Sequence, residues 1–213
     1  MSALAASPAP ESSARSATLE RVTRETRVVA SLVLEPGAVT VSTGVGFLDH
    51  LLSTLAFHAR WTLELRAEGD LQVDEHHTAE DSALVLGTLL DRALGGRGGI
   101  RRFGSAHACL DEALARAVVD LGGRPWCETS LELVRPTIGA LAAENVAHVV
   151  RSFATNARAA IHLDVLRGGN DHHKAEAAFK ALALALRDAL ALDPMDATAE
   201  GTARVPSLKG TLA

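Results

Sequence analysis

From residue 18 onward the chain alternates apolar and polar positions, as in Arg27-Val28-Val29-Ala30-Ser31-Leu32-Val33-Leu34. Period two is the pattern of a half-buried strand. Glu35-Pro36-Gly37 is a turn and Val39-Thr40-Val41-Ser42 resumes the extended pattern, so residues 18–42 are expected to form a β-hairpin. Gly44 and Gly46 interrupt it, and over residues 47–58 Phe47, Leu48, Leu51, Leu52, Leu55 and Ala56 fall on one helical stripe. Residues 61–68 alternate again, Gly69-Asp70 turns the chain, and a helix is expected over 76–94. Asp74-Glu75 stands at its entry, where negative charge suits a helix N-terminus. Gly95-Gly96-Arg97-Gly98-Gly99 reads as a flexible connector, with a phosphate loop as the alternative. Beyond it, residues 113–121 and 126–133 read as strands around Gly122-Gly123-Arg124-Pro125. A helix follows over 144–157, a strand over 160–166, a turn at Gly168-Gly169-Asn170 and a helix over 172–192.

Each half therefore reads strand, strand, helix, strand, helix. Such a ββαβα unit makes a mixed sheet with two helices on one face, an α+β architecture, and two units can pack helix face to helix face. The halves span 18–95 and 96–200. Residues 1–17 are rich in Ala, Ser and Pro without the apolar run of a signal peptide, and are expected to be a disordered tail. Residues 201–213 form a C-terminal tail whose Ser207-Leu208-Lys209-Gly210 is a candidate anion site.

The halves repeat in detail. His50-Leu-Leu-Ser-Thr-Leu-Ala-Phe-His-Ala-Arg60 lies over His148-Val-Val-Arg-Ser-Phe-Ala-Thr-Asn-Ala-Arg158, an offset of 98 (148 − 50). His76-His77-Thr-Ala-Glu80 lies over His172-His173-Lys-Ala-Glu176, an offset of 96 (172 − 76). Leu63 and Leu65 coincide with Ile161 and Leu163. The pattern is that of a tandem duplication in which a lone His and a His-His-x-x-Glu were both kept.

Imidazole with carboxylate is a ligand set for Zn, Mn, Fe or Ni. In each pair the first His and the Glu are i and i+4, on one helix face. Consecutive helical positions are about 100° apart, so the two histidines of a pair diverge. That favours two metal positions, or a metal shared with another part of the structure. A structural zinc site would more often use thiolates.

Composition narrows the field. Apolar residues make up 47%, too many for a disordered chain, while the apolar runs fall short of a membrane span. The net charge of −5 and the lack of a basic block argue against nucleic acid as partner. Cys109 and Cys127, outside any paired metal motif, read as reduced thiols of a cytoplasmic protein. His58, His107 and His162 lack repeat partners and read as ordinary polar residues. Arg101-Arg102 beside Gly104 could grip a phosphate, or form a solvated basic turn. The residues alone point to a di-metal enzyme acting on a phosphorylated or acidic small molecule. A hydrolase of phosphorylated metabolites and a metal-storage protein are the alternatives.

Several runs resemble imidazoleglycerol-phosphate dehydratases: Gly46-Phe47-Leu48-Asp49-His50, Asp74-Glu75-His76-His77-Thr78-Ala79-Glu80-Asp81, Gly123-Arg124-Pro125, His172 to Lys180, and Pro206-Ser207-Leu208-Lys209-Gly210. Arg21-Val22-Thr23-Arg24-Glu25-Thr26 fits the family's opening strand. The resemblance runs from about residue 18 to the end, with Ala79 and Leu208 departing from residues common in the family. It implies a fold like the second domain of ribosomal protein S5. It also implies the step of histidine biosynthesis that converts D-erythro-imidazole glycerol phosphate to imidazole acetol phosphate and water through an imidazolate and a diazafulvene. By the same resemblance two Mn²⁺ ions are held by His50, His76, His77, Glu80, His148, His172, His173 and Glu176. Glu25 contacts substrate and is a candidate for proton transfer, with Glu80 or Glu176 as rival bases. Arg102, Arg124, Ser207 and Lys209 face the phosphate. For Arg124 a turn arginine, and for Glu25 an exposed strand residue, is the plainer alternative. Asp49 and Asp81 either orient imidazoles or are helix-end charges. The family assembles as a cubic homo-oligomer, implying 24 subunits here with metal sites shared between them, and no role for nucleic acid or membrane.

Overall fold

The computed structural model describes residues 15–193 and 204–212. The expected N-terminal tail lies outside the described residues as far as residue 14. The first strand, β1, covers Ser16–Val22, so Ser16 and Ala17 belong to the sheet rather than to the tail. β2 (Thr26–Val33) pairs antiparallel with it, from Ser16 opposite Val33 to Val22 opposite Arg27. β3 (Val39–Ser42), α1 (Gly46–Ala59), β4 (Thr62–Gly69) and α2 (His76–Leu94) complete the first half.

The hairpin expected between 18–34 and 39–42 is placed differently. It closes at Thr23-Arg24-Glu25, between β1 and β2, while β3 runs parallel to β4 on the far side of the sheet. That turn contains neither Gly nor Pro. It is held by the Thr23 hydroxyl, which accepts from the Glu25 and Thr26 amides at 3.1 and 2.9 Å, a local side-chain device that leaves the alternating pattern unbroken.

The second half repeats the plan with β5 (Phe103–Leu110), β6 (Ala113–Asp120), β7 (Trp126–Ser130), a two-stranded β8 (Thr137–Ile138) and β9 (Leu141–Ala142), α3 (Ala143–Ala157), β10 (Ala160–Arg167) and α4 (Asp171–Leu190). Strand orders β1-β2-β4-β3 and β5-β6-β10-β7 superpose one half on the other. The class is α+β, two mixed four-stranded sheets with two helices each, as expected. The strand count is larger, βββαβα rather than ββαβα. β5 is not visible in the alternation because its inward positions are Gly104, Ala106 and Ala108, small residues that carry little signal, with Leu110 alone bulky at the strand's end. They are small for a reason. α4 lies so close that a Cβ on Gly104 would stand 2.0 Å from the Ala185 carbonyl oxygen.

The helices face one another across the halves, α1 against α4 and α2 against α3. Leu48, Leu51, Leu52, Leu86, Leu89, Val150, Phe153, Phe179 and Leu182 fill the space between the sheets. Gly87 sits where α2 meets α3, and a Cβ there would lie 2.5 Å from the Phe153 carbonyl oxygen. Alanine is the better helix former by about 1 kcal/mol, but overpacking costs about 1–3 kcal/mol. Gly87→Ala is therefore expected to lower stability, seen as a lower denaturation midpoint. A raised midpoint would show that the helices can separate freely.

The glycine-rich segment is not the flexible connector its composition suggests. Arg97, in its centre, is 4% exposed. Its guanidinium donates to the carbonyls of Leu121 (2.8 Å), Ala157 (2.8 Å) and Arg158 (3.1 Å) and pairs with Asp91. The glycines let the chain wrap this side chain, Gly95 and Gly99 having φ of 52° and 70°.

Candidate metal centres

Both His-His-x-x-Glu runs open a helix. The Asp74 carboxylate accepts from the His76 amide at 2.9 Å at the start of α2, and the Asn170 side chain accepts from the His172 amide at 2.9 Å at the start of α4. Both contacts satisfy N–H groups that a first turn leaves open, Asn170 as the N-cap of α4 and Asp74 from just before α2, and the i, i+4 spacing puts the first His and the Glu over one face. The third ligand comes from the other half. His148, on α3, meets His76 and Glu80, and His50, on α1, meets His172 and Glu176.

The contacts match in kind. His50 Nε2 is 3.0 Å and His172 Nε2 3.4 Å from Glu176 Oε2, and His148 Nε2 is 3.2 Å from Glu80 Oε1. In each trio one ligand atom from every residue lies within 4.8 Å of the other two, so each His₂Glu trio is placed to hold a divalent cation with positions to spare for water or substrate. Burial alone would push the Glu176 carboxyl up, but hydrogen bonds from Lys180 and His50 hold it at about 2, ionised and ready to ligate.

His77 and His173 turn away, as divergence on a helix requires. Their rings stand at 80° and 87° to those of His76 and His172. His77 Nδ1 is 3.0 Å from Asp70 Oδ2, and His173 Nδ1 is 2.8 Å from Glu112 Oε2. Each carboxylate raises the pKa of its imidazole. Hydrogen bonds from His173 and from backbone amides hold Glu112 itself at about 2. Six of the eight expected ligands thus converge within one chain. His77 and His173 do not join them, though each is oriented by a carboxylate as metal-binding histidines commonly are.

Glu25, in the β1–β2 turn, lies beside His77, with Oε2 3.9 Å from Nε2. It enters neither trio. Asp49 and Asp81 do not orient imidazoles. Asp49 accepts from the amide and hydroxyl of Thr43 ahead of α1, and Asp81 accepts from Arg21 and Thr26, tying α2 to the first hairpin. The orienting groups are others. Asp70, Glu112 and Asn145 lie far from their histidines in sequence or outside the repeated runs, so no spacing rule singles them out.

A second feature lies at the C-terminal tail. A pocket of about 610 Å³ is lined by Arg102, Arg124, Arg204, Ser207 and Lys209 among others. Arg102 is anchored by a two-point contact with Asp120 (2.6 and 3.0 Å), stacks on Phe103, and donates to the Pro206 carbonyl at 3.0 Å, so it holds the tail as well as charging the pocket. No ligand of either trio lines this pocket.

The chain matches the family model of imidazoleglycerol-phosphate dehydratase over residues 43–186, which include both trios. It is 51% identical over 205 residues to the imidazoleglycerol-phosphate dehydratase of Salinibacter ruber, covering 96% of this chain and 98% of that protein. The chain belongs to the imidazoleglycerol-phosphate dehydratase family. It is also 52% identical over 204 residues to the imidazoleglycerol-phosphate dehydratase of Phytophthora nicotianae, of whose length it spans 44%. The crystal structure of the Staphylococcus aureus imidazoleglycerol-phosphate dehydratase is similar with a TM-score of 0.75 at 34% identity, covering 84% of this chain and 99% of that one. As an imidazoleglycerol-phosphate dehydratase the protein is a hydro-lyase of histidine biosynthesis. Among the described residues no helix is long and apolar enough to cross a membrane.

Proposed function

We propose that the two His₂Glu trios are the catalytic metal positions, each taking one Mn²⁺, and that D-erythro-imidazole glycerol phosphate is dehydrated between them to imidazole acetol phosphate. The pseudo-symmetric convergence of His50 with His172 and Glu176, and of His148 with His76 and Glu80, carries this reading. Bound there, two divalent ions supply Lewis acidity that stabilises the substrate imidazole as its anion.

The chain's own groups do the rest. Glu25, exposed beside His77, takes and returns the proton at the side chain of the substrate, with Glu80 and Glu176 kept for metal. The cationic pocket at the tail binds the phosphate through Arg124, Ser207 and Lys209, with Arg102 fixed behind them. Since that pocket and the trios share no residue, and His77 and His173 face out of the trios, the working site takes residues from more than one copy. An assembly of 24 subunits, with each diverted histidine completing a neighbour's metal position, satisfies both facts.

The test is turnover by chelator-stripped protein with imidazole glycerol phosphate. Product should appear only when Mn²⁺ is restored; metal bound without product would sink the reading. Metal binding should also respond to pH. Asp70 and Glu112 raise the pKa of His77 and His173, and only neutral imidazole ligates. Mn²⁺ affinity is therefore expected to fall by about tenfold or more from pH 8 to pH 6, and the fall should begin above the ordinary histidine range. Affinity that stays flat across that interval would exclude both residues as ligands.

A further inference from the structure

The duplication makes the two trios look interchangeable, and the groups just behind the ligands break that equivalence. Register the halves on His50 and His148, and Phe47 falls on Asn145; register them on His76 and His172, and Leu84 falls on Lys180.

Behind the His76 trio, Asn145 is 3% exposed and its Oδ1 lies 3.0 Å from His76 Nδ1. Its amide nitrogen donates to Glu75 Oε1 at 3.1 Å. A carboxylate only accepts, so the nitrogen must face Glu75 and the oxygen must face the imidazole. His76 therefore carries its proton on Nδ1 and presents the Nε2 lone pair to the metal. Behind the other trio, Phe47 packs on His172 with ring centroids 4.9 Å apart and offers no hydrogen-bonding atom. The counterpart of Glu75 is Asp171, which is spent on the amides of Val134 and Arg135 and on the Lys174 ammonium.

The carboxylates differ too. Glu176 Oε1 is 2.8 Å from the Lys180 ammonium, so one oxygen is occupied and a positive charge stands next to the metal position. At that station the first half has the uncharged Leu84, so no cation stands beside Glu80, whose Oε1 meets only the imidazole of its own trio, His148 at 3.2 Å. The diverted histidines do not restore the balance, because each has a carboxylate on Nδ1.

Resting on the metal reading above, we propose that the two positions are unequal by construction: the His76/Glu80/His148 position binds the divalent ion tightly, and the His50/His172/Glu176 position binds it weakly and exchanges it. Asn145 and Lys180 are the positioning residues that set the difference.

The experiment is a Mn²⁺ titration of the chelator-stripped, assembled protein, with free Mn²⁺ read by its electron paramagnetic resonance signal. Two classes of one ion per chain, at least about tenfold apart, are expected. Lys180→Met should tighten the weak class by about tenfold and leave the tight class alone. Asn145→Leu should weaken the tight class by about 10- to 100-fold, the usual cost of losing a group that orients a ligand. Should Asn145→Leu fail to fold, Leu84→Lys places the same charge at the counterpart station and should weaken only the tight class. One class with none of the variants moving it, or Lys180→Met moving only the tight class, would overturn the proposal. No binding at either position would instead defeat the metal reading on which it rests.

Discussion

His148→Ala is expected to empty one metal position and to lower kcat/KM by about 1,000-fold or more. A Lewis acid contributes several kcal/mol of transition-state stabilisation, and each 1.4 kcal/mol is tenfold in rate. His50→Ala should do the same at the other position, because His50 and His148 play the same part in the two trios. Bound metal per chain should fall by one equivalent in each variant. His107→Ala, on β5 away from both trios, should change neither quantity. If His148→Ala kept full turnover while losing an ion, that ion would be structural, and dehydration would run on one metal.

Arg97→Met should be the most destabilising single change outside the metal centres. The arginine is buried where the end of α2, the end of α3 and the strand end at Leu121 meet. Its loss leaves the carbonyls of Leu121, Ala157 and Arg158 without their donor and Asp91 without its partner. Breaking a buried, hydrogen-bonded charge costs about 3–5 kcal/mol. At about 2–4 °C per kcal/mol for a chain of this size, Tm should drop by about 10 °C. A drop of a degree or two would mean that water replaces the guanidinium at little cost, and that the segment behaves as the loose linker its glycines suggest.

Much of this arrangement is legible in the chain because duplication writes the same signal twice. The four helices and the strands from Thr62 and Ala160 follow from periodicity, and the candidate ligands follow from histidines and glutamates kept at matching stations, while their division into two trios comes only from the fold. What stayed hidden has definite physical causes. The Thr23–Glu25 turn is made by a hydroxyl rather than by Gly or Pro, so one long strand conceals two. β5 faces a helix at such close range that three of its four inward residues are glycine or alanine. Arg97 sits among four glycines, and nothing in its neighbours shows that three carbonyls from 24 to 61 residues further along converge on it. Local spacing shows that His76 and Glu80 share a face. It does not show that Asn145, 69 residues away, turns the imidazole. Ligands are fixed by helical period; the groups that orient them are fixed by how the halves meet.

The measurement that bears most directly on the metal centres is anomalous scattering from crystals of the Mn²⁺-loaded protein. Two peaks per chain are predicted, one bounded by His50, His172 and Glu176, the other by His76, Glu80 and His148. A single peak, or manganese found only against carboxylates outside these trios, would contradict the account.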